Sequence, residues 1–250
     1  TQMLTNQTLD KLSAMRLSAM AREYRRQSEH PQIQALSFDE RFGMLVDAEW
    51  TARQNNRLQR LLKGATLRIE TACLEDLDYD SSRNLDRNMV MGLTNCLWVK
   101  EGRTVIITGA TGTGKTYLAC AFGNAACRLG FKVKYYRVNR LLDDLMIGRG
   151  DGSYNKQLRD LRKQDLLILD DFGMSMLDPV SSRDLLEVID DRIYSKGTII
   201  GAQLPVSQWY NIFEDSTVAD AVLDRLIHNS YRFELKGDSK RRQSLQPITP

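Results

Sequence analysis

Gly109-Ala110-Thr111-Gly112-Thr113-Gly114-Lys115-Thr116 is the stretch that decides how this chain folds. It fits G-x-x-x-x-G-K-[ST], a loop that cradles phosphate. Its flanks agree. Arg103-Thr104-Val105-Ile106-Ile107-Thr108 is β-branched and reads as a strand entering the loop; Tyr117-Leu118-Ala119-Cys120-Ala121-Phe122 reads as a helix leaving it. A strand, a glycine loop and a helix N-terminus make an anion site, because backbone N–H groups from Gly109 to Thr116 point inward and the helix dipole favours negative charge. Gly109 and Gly114 permit turns that a Cβ would obstruct. Lys115 is expected to reach the β- and γ-phosphates, and the Thr116 hydroxyl to sit on Mg²⁺.

The composition narrows the setting. A length of 250 residues with 42% hydrophobic content suits one α/β domain plus a smaller appendage. A net charge of +3 imposes no global field, so contact with a polyanion would come from local patches. Cys73, Cys96, Cys120 and Cys127 form no C-x-x-C pair, and with only 2 histidines a zinc site is not expected. No segment resembles a signal peptide and no apolar run is long enough for a membrane span, so the expected compartment is a reducing cytoplasm.

Residues 1 to about 70 read as helical. Leu9, Leu12, Met15, Leu17 and Met20 recur at helical spacing, Pro31 interrupts, and Ser37-Phe38-Asp39-Glu40 has the form of a helix start. The helix that follows carries Phe42, Leu45, Val46 and Trp50 on its apolar side and can continue through Arg60. Arg53, Arg57 and Arg60 share one face of it, which suits a phosphate-tracking stripe on nucleic acid and equally a solvated outer face. Glu75 to Asp80 reads as an acidic loop and Asn84 to Lys100 as one helix. From Arg103 onward strands and helices alternate, which predicts a parallel five-stranded sheet with helices on both faces. The strands are expected at Lys132–Val138, Leu166–Leu169, Gly197–Gln203 and Tyr231–Leu235 after the first; Gly148 to Ser153 reads as a glycine-rich loop, and Asn155 to Gln164 as a basic helix.

The third strand ends in Asp170-Asp171, the partner that the phosphate loop needs. One carboxylate at a strand's end can hold Mg²⁺, which we assign to Asp170; its neighbour Asp171 can orient and deprotonate an attacking water. An acidic turn after a buried strand is the alternative. Water as acceptor fits this pair better than the bound acceptor of a small-molecule kinase. Asn155-Lys156-Gln157-Leu158 lacks the aspartate of an Asn-Lys-x-Asp guanine motif, so ATP is expected rather than GTP. Gln203 ends the fourth strand, expected between the phosphate-loop strand and the aspartate strand, where its amide can meet the γ-phosphate or the water. Arg225 precedes the fifth strand and reads either as an arginine finger acting on a neighbouring subunit's nucleotide or as a surface ion pair to Asp224 or Asp220.

At these residues the chain resembles an AAA+ ATPase of the group that contains the helicase loader DnaC, and more closely the IstB family of transposition helper ATPases. The likeness spans nearly the whole chain. It rests on the loop, Leu166–Gly173, Ala202-Gln203-Leu204-Pro205, Asp224-Arg225-Leu226-Ile227-His228-Asn229 and Gly237-Asp238-Ser239-Lys240-Arg241. The resemblance implies that Asp170 is the Walker B metal aspartate, Gln203 sensor 1, Arg225 a trans-acting finger and Arg241 sensor 2. The chain departs from the family pattern at Asp171, where glutamate is common, and in a tail too short for a full C-terminal lid.

The resemblance further implies an ATP- and Mg²⁺-dependent homo-oligomer on double-stranded DNA, recruitment of a transposase and no membrane association. Residues 1–70 are the expected helical DNA-binding or assembly domain and residues 71–250 the ATPase domain. Arg137, Arg140, Arg149, Lys156, Arg159, Arg162 and Lys163 are the core's candidate phosphate contacts, beside Arg53, Arg57 and Arg60. A DnaC-type helicase loader, and a nucleotide-gated DNA scaffold that scarcely hydrolyses ATP, remain open at this level.

Overall fold

The computed structural model describes residues 2–237. They cluster into two compact units, Thr1–Arg60 and Leu61–Pro250. In the first, α1 (Gln2–Ala14) and α2 (Ser18–Glu29) are separated by a kink at Arg16, whose φ of 59° is left-handed. Pro31 breaks α2 and opens a single turn, α3 (Pro31–Gln34), as a first-turn proline can. The start of α4 (Phe38–Ala65) is a reciprocal capping box: Ser37 N donates to Glu40 Oε2 at 2.9 Å and Glu40 N to Ser37 Oγ at 3.3 Å. Leu17 gives α2 no side-chain cap. The cap comes instead from Glu49 on α4, whose Oε2 accepts Ala19 N at 3.0 Å and Met20 N at 3.1 Å, while Arg53 holds Oε1 at 2.8 Å. The row Phe38, Phe42, Val46 and Trp50 on α4 is left uncovered by the unit's own helices.

The second unit opens on irregular backbone. Asp86 caps α5 (Arg87–Leu93), and α6 (Leu97–Lys100) follows. The single helix expected over Asn84 to Lys100 is thus two, broken where Cys96 adopts φ 53°; the break lets Trp98 Nε1 donate to Leu93 O at 3.1 Å in the core. Then come β1 (Thr104–Gly109), α7 (Lys115–Arg128), β2 (Val133–Arg137), α8 (Val138–Asp151), α9 (Tyr154–Arg162), β3 (Leu166–Phe172), α10 (Pro179–Asp190), β4 (Gly197–Ala202), a 3₁₀ segment (Val206–Ile212), α11 (Ser216–Ile227) and β5 (Ser230–Leu235). The expected glycine loop at Gly148 to Ser153 is helical as far as Asp151. Gly148 lies against Gln157, where a Cβ would come 2.8 Å from Oε1, so this glycine serves the close approach of α8 and α9 rather than a turn.

All five strands are parallel, in the order β2-β3-β4-β1-β5. β4 lies between β1 and β3, the place expected for the strand that Gln203 follows. β1, β3 and β4 are almost wholly buried, consistent with their unbroken β-branched and leucine runs. At the N-terminal edge Arg192, 2% exposed, ties the layers together. Its guanidinium donates to the carbonyls of Leu161, Gln164, Asp165 and Gly197 and to Thr198 Oγ1. Burial pushes its pKa down to about 10. No helix among the described residues is long and apolar enough to cross a membrane.

Candidate nucleotide site

The phosphate loop lies at the C-terminal edge of the sheet. β1 runs out at Gly109, the chain turns through Gly112 (φ 88°) and Gly114 (φ 97°), and α7 starts at Lys115. These φ values are ones that side-chain-bearing residues rarely adopt, which is why glycine stands there. The loop is braced from within: Thr113 Oγ1 donates to Ala110 O at 2.9 Å, and Lys115 Nζ to the same carbonyl at 2.8 Å. Lys115 is buried, so its ammonium is held at the mouth of the loop and not in open solvent.

β3 delivers both carboxylates. Its pairing with β4 is regular to Leu169 and shifts before Phe172, because Asp171 takes a left-handed φ of 58°. Consecutive side chains of a regular strand face opposite sides. The bulge is what lets Asp171 line the same cavity as Thr116 while Asp170 holds the Thr116 hydroxyl. Asp170 is 1% exposed. Its Oδ2 accepts Thr116 Oγ1 at 2.7 Å and Tyr135 OH at 2.8 Å; its Oδ1 is buried with no hydrogen-bond partner among the described residues. Asp171 Oδ2 stands 3.4 Å from Arg137 Nε and 3.7 Å from Arg68 Nη1.

Asp171, with Arg137 and Arg68, lines one cavity of about 500 Å³, together with Thr111, Gly112, Gly114, Lys115, Thr116 and Gln203; Asp170 lies behind its wall, bonded to Thr116. The connecting segment before β1 also lines it, through Asp76, Leu77, Asp78, Arg83 and Leu85. Arg83 Nη2 donates to Thr113 O at 2.6 Å, and a Cβ on Gly114 would lie 2.7 Å from that nitrogen. Asn84 Nδ2 and Lys236 N bind this segment to the end of β5, through Glu234 O at 2.8 Å and Arg83 O at 3.0 Å. Leu77, Leu85 and Leu235 make this end of the cavity apolar. Sequence reading missed Arg68, Arg83 and Tyr135. Only Tyr135 carried a signal: it shares a strand face with Arg137, two residues on.

The arrangement fits a Mg²⁺ ion. Asp170 presents a buried, unpartnered oxygen and a second one shared with the Thr116 hydroxyl, an all-oxygen donor set of the kind this hard cation takes. No group of three or more His, Cys, Asp or Glu side chains among the described residues could hold a metal. Mg²⁺ commonly binds through one or two carboxylates plus substrate phosphates, which suits so sparse a set.

The other predicted residues lie elsewhere. Arg225, on α11, does not line the cavity; it pairs with Asp190, not with Asp224 or Asp220, and Nη1 donates to Ala221 O at 2.8 Å. Arg241 lies outside the described residues. Arg149 is bound to the buried Asp184, which also accepts Tyr154 OH at 2.8 Å, and its guanidinium stacks 4.0 Å from the Tyr154 ring centroid. Arg140, Arg162 and Lys163 reach Asp144, Asp191 and Asp160 at 3.8, 3.9 and 2.9 Å. Arg53 is committed to Glu49, and Arg60 Nε donates to Asn56 O at 3.2 Å. Arg57, Lys156 and Arg159 have no carboxylate within ion-pair distance among the described residues.

Comparison with known proteins gives the family. The chain is 43% identical over 240 residues to a putative insertion sequence ATP-binding protein, y4pL, of Sinorhizobium fredii, covering 96% of this chain and 98% of that one. It is 46% identical over 205 residues to the putative ATP-binding protein of insertion sequence IS1162 from Pseudomonas fluorescens, covering 82% and 89%. Among solved structures it is similar to the DnaC helicase loader, with a TM-score of 0.53 at 18% identity over 63% of this chain and 95% of that one, a likeness of fold. Residues 10–246 match the IstB-like ATP binding protein family, and the chain belongs to that family.

Proposed function

We propose that this chain is a Mg²⁺-dependent ATPase that assembles on double-stranded DNA and helps a transposase select its target. The observation that carries the reading is the meeting, at one cavity, of the phosphate loop, Thr116 bonded to Asp170, and Asp171 with Gln203. In this reading the loop from Gly109 to Thr116 holds the phosphates, Lys115 neutralises the β- and γ-oxygens, and Thr116 and Asp170 hold Mg²⁺, which would draw charge from the γ-phosphate. Asp171 orients the attacking water and Gln203 hydrogen-bonds it or the γ-phosphate. Arg225 and Arg241 serve as the finger and sensor that a neighbouring subunit's nucleotide and this chain's own would meet. Residues 1–70 act in DNA binding and assembly, residues 71–250 as the ATPase domain, in the cytoplasm.

The names of the relatives support the insertion-sequence setting, and Lys156 and Arg159 on α9, without an ion-pair partner among the described residues, support a backbone contact to DNA. The test is sedimentation of the chain with ATP and duplex DNA together. ATP-dependent oligomers that bind DNA less well as salt rises are expected, and a persistent monomer would refute the proposal. Co-purification with the transposase rather than a hexameric helicase is expected.

A second reading, a nucleotide-gated scaffold with little turnover, is favoured by one observation. Asp171 stands beside two guanidiniums and is one methylene shorter than glutamate. A large gain in turnover for Asp171→Glu would support it.

A further inference from the structure

We propose that Tyr135 is a positioning residue of the nucleotide site, whose phenol fixes the Asp170 carboxylate so that Asp170 and Thr116 can share one Mg²⁺. This rests on the nucleotide reading above and adds to it a residue of β2 that no phosphate-loop pattern contains.

Asp170 Oδ1 has no hydrogen-bond partner among the described residues, and the hydrogen bonds they make to this side chain all act through Oδ2. Two hydroxyls supply it, Thr116 Oγ1 at 2.7 Å and Tyr135 OH at 2.8 Å. Thr116 is the hydroxyl that a loop of this kind turns toward the metal. A hydroxyl that donates to a carboxylate keeps its lone pairs for a cation, so Thr116 can do both at once. It is then a restraint that the metal itself shares.

Tyr135 is the other restraint, and it belongs to the protein alone. In the β2–β3 register Tyr135 pairs with Ile168 and Arg137 with Asp170. The tyrosine must therefore reach two residues along the sheet, a span that the ring and its terminal oxygen cover. The residue is 8% exposed, so its hydroxyl has no ready water to exchange with. A phenol is protonated at neutral pH and donates to the carboxylate, and phenylalanine cannot. Carboxylates that hold metals are themselves hydrogen-bonded, and losing such a partner commonly weakens metal binding ten- to a hundredfold.

Tyr135→Phe removes one oxygen and keeps the ring in the core. The experiment titrates a fluorescent ATP analogue into the full chain in EDTA and over a series of Mg²⁺ concentrations. Tyr135→Phe is expected to bind the analogue in EDTA within about twofold of wild type, yet to need about tenfold more Mg²⁺ for half of the metal-dependent gain in affinity. Asp170→Asn marks complete loss of that gain. A merely structural tyrosine would change affinity equally with and without metal. Thermal melting with Mg²⁺–ATP against ATP in EDTA gives a second readout that does not depend on the fluorophore. If Asp170→Asn loses the Mg²⁺ response and Tyr135→Phe titrates like wild type, the assignment is overturned. It is overturned too if wild-type affinity does not respond to Mg²⁺. Unchanged ATP affinity in Lys115→Ala would instead remove the nucleotide reading itself, whatever Tyr135→Phe does.

Discussion

Gly201→Ala should be felt first at Asp170. On the backbone of β4, a Cβ at position 201 would lie 2.3 Å from Asp170 Oδ1, 3.3 Å from its Cγ and 3.6 Å from its Cα. The first distance is roughly 1 Å inside ordinary van der Waals contact. The strain has two outlets. The carboxylate can turn, which breaks the hydrogen bonds from Thr116 and Tyr135, each worth about 1.5–3 kcal/mol to a charged acceptor. Alternatively β4 can draw back from β3, an overpacking cost of about 1–3 kcal/mol. The cheaper outlet sets the price, so a loss of about 1–3 kcal/mol is expected, roughly 2–12 °C in Tm for a unit of this size. Calorimetry of four proteins measures it: wild type, Gly201→Ala, Asp170→Ala and the double variant. Without the carboxylate the added methyl has room, so Gly201→Ala should cost less than about 1 kcal/mol in the Asp170→Ala background. Gly197→Ala is the control on the same strand. Its Cβ would meet Val99 Cα at 3.0 Å, remote from the carboxylates, and its cost should be the same in both backgrounds. Equal costs for Gly201→Ala in the two backgrounds, or a wild-type Tm, would refute the reasoning.

Three further outcomes are expected. Arg192→Lys leaves a buried cation without most of its carbonyl partners and should cost about 3–5 kcal/mol in urea denaturation; a loss under about 1 kcal/mol would show that the network is dispensable. Glu49→Gln should weaken the α2 cap by about 1–2 kcal/mol, read as faster hydrogen exchange at the Ala19 and Met20 amides. The Arg53 hydrogen bond, then the Met20 and Ala19 amides, hold the Glu49 pKa below its ordinary 4.5. Its contribution is therefore present above about pH 4.5 and lost as pH falls through the lower folded value; protection that does not fall on acidification would contradict this. Neutralising Lys156 or Arg159 should lower the slope of log K against log salt for duplex DNA by about 1 each, whereas Arg149→Ala, which leaves the buried Asp184 the Tyr154 hydroxyl but no cation, should lower Tm with the slope unchanged.

What could be read in advance, and what could not, separates along one physical line. The phosphate loop was legible because its geometry is dictated by residue types at consecutive positions: glycine where φ is positive, then lysine and threonine at a helix start. Asp170, Asp171 and Gln203 were legible as strand ends, since a parallel sheet gathers its C-terminal ends on one edge and all three then fall near the loop. Residues whose position depends on register or on distant backbone were not. Tyr135 reaches Asp170 only because β2 and β3 pair with Arg137 opposite Asp170, and no local pattern fixes that offset. Arg83 meets the loop because Asn84 and Lys236 stitch its segment to β5, across most of the ATP-binding unit's sequence. The misread helices follow the same line. Gly148 and Gly150 lower helix propensity, yet α8 continues because Gly148 is where Gln157 approaches; Asn84 to Lys100 looks continuous, yet Cys96 breaks it so that Trp98 can bury its indole and still pair its N–H. In each case a tertiary contact outweighed a local preference worth about 1 kcal/mol or less. Asp171 joins the two classes. Its identity was readable, but its use depends on a left-handed backbone that aspartate tolerates and a β-branched residue would not. The bulge at Asp171 is therefore part of the site's geometry: it lets Asp171 line the cavity while its neighbour Asp170 holds the Thr116 hydroxyl.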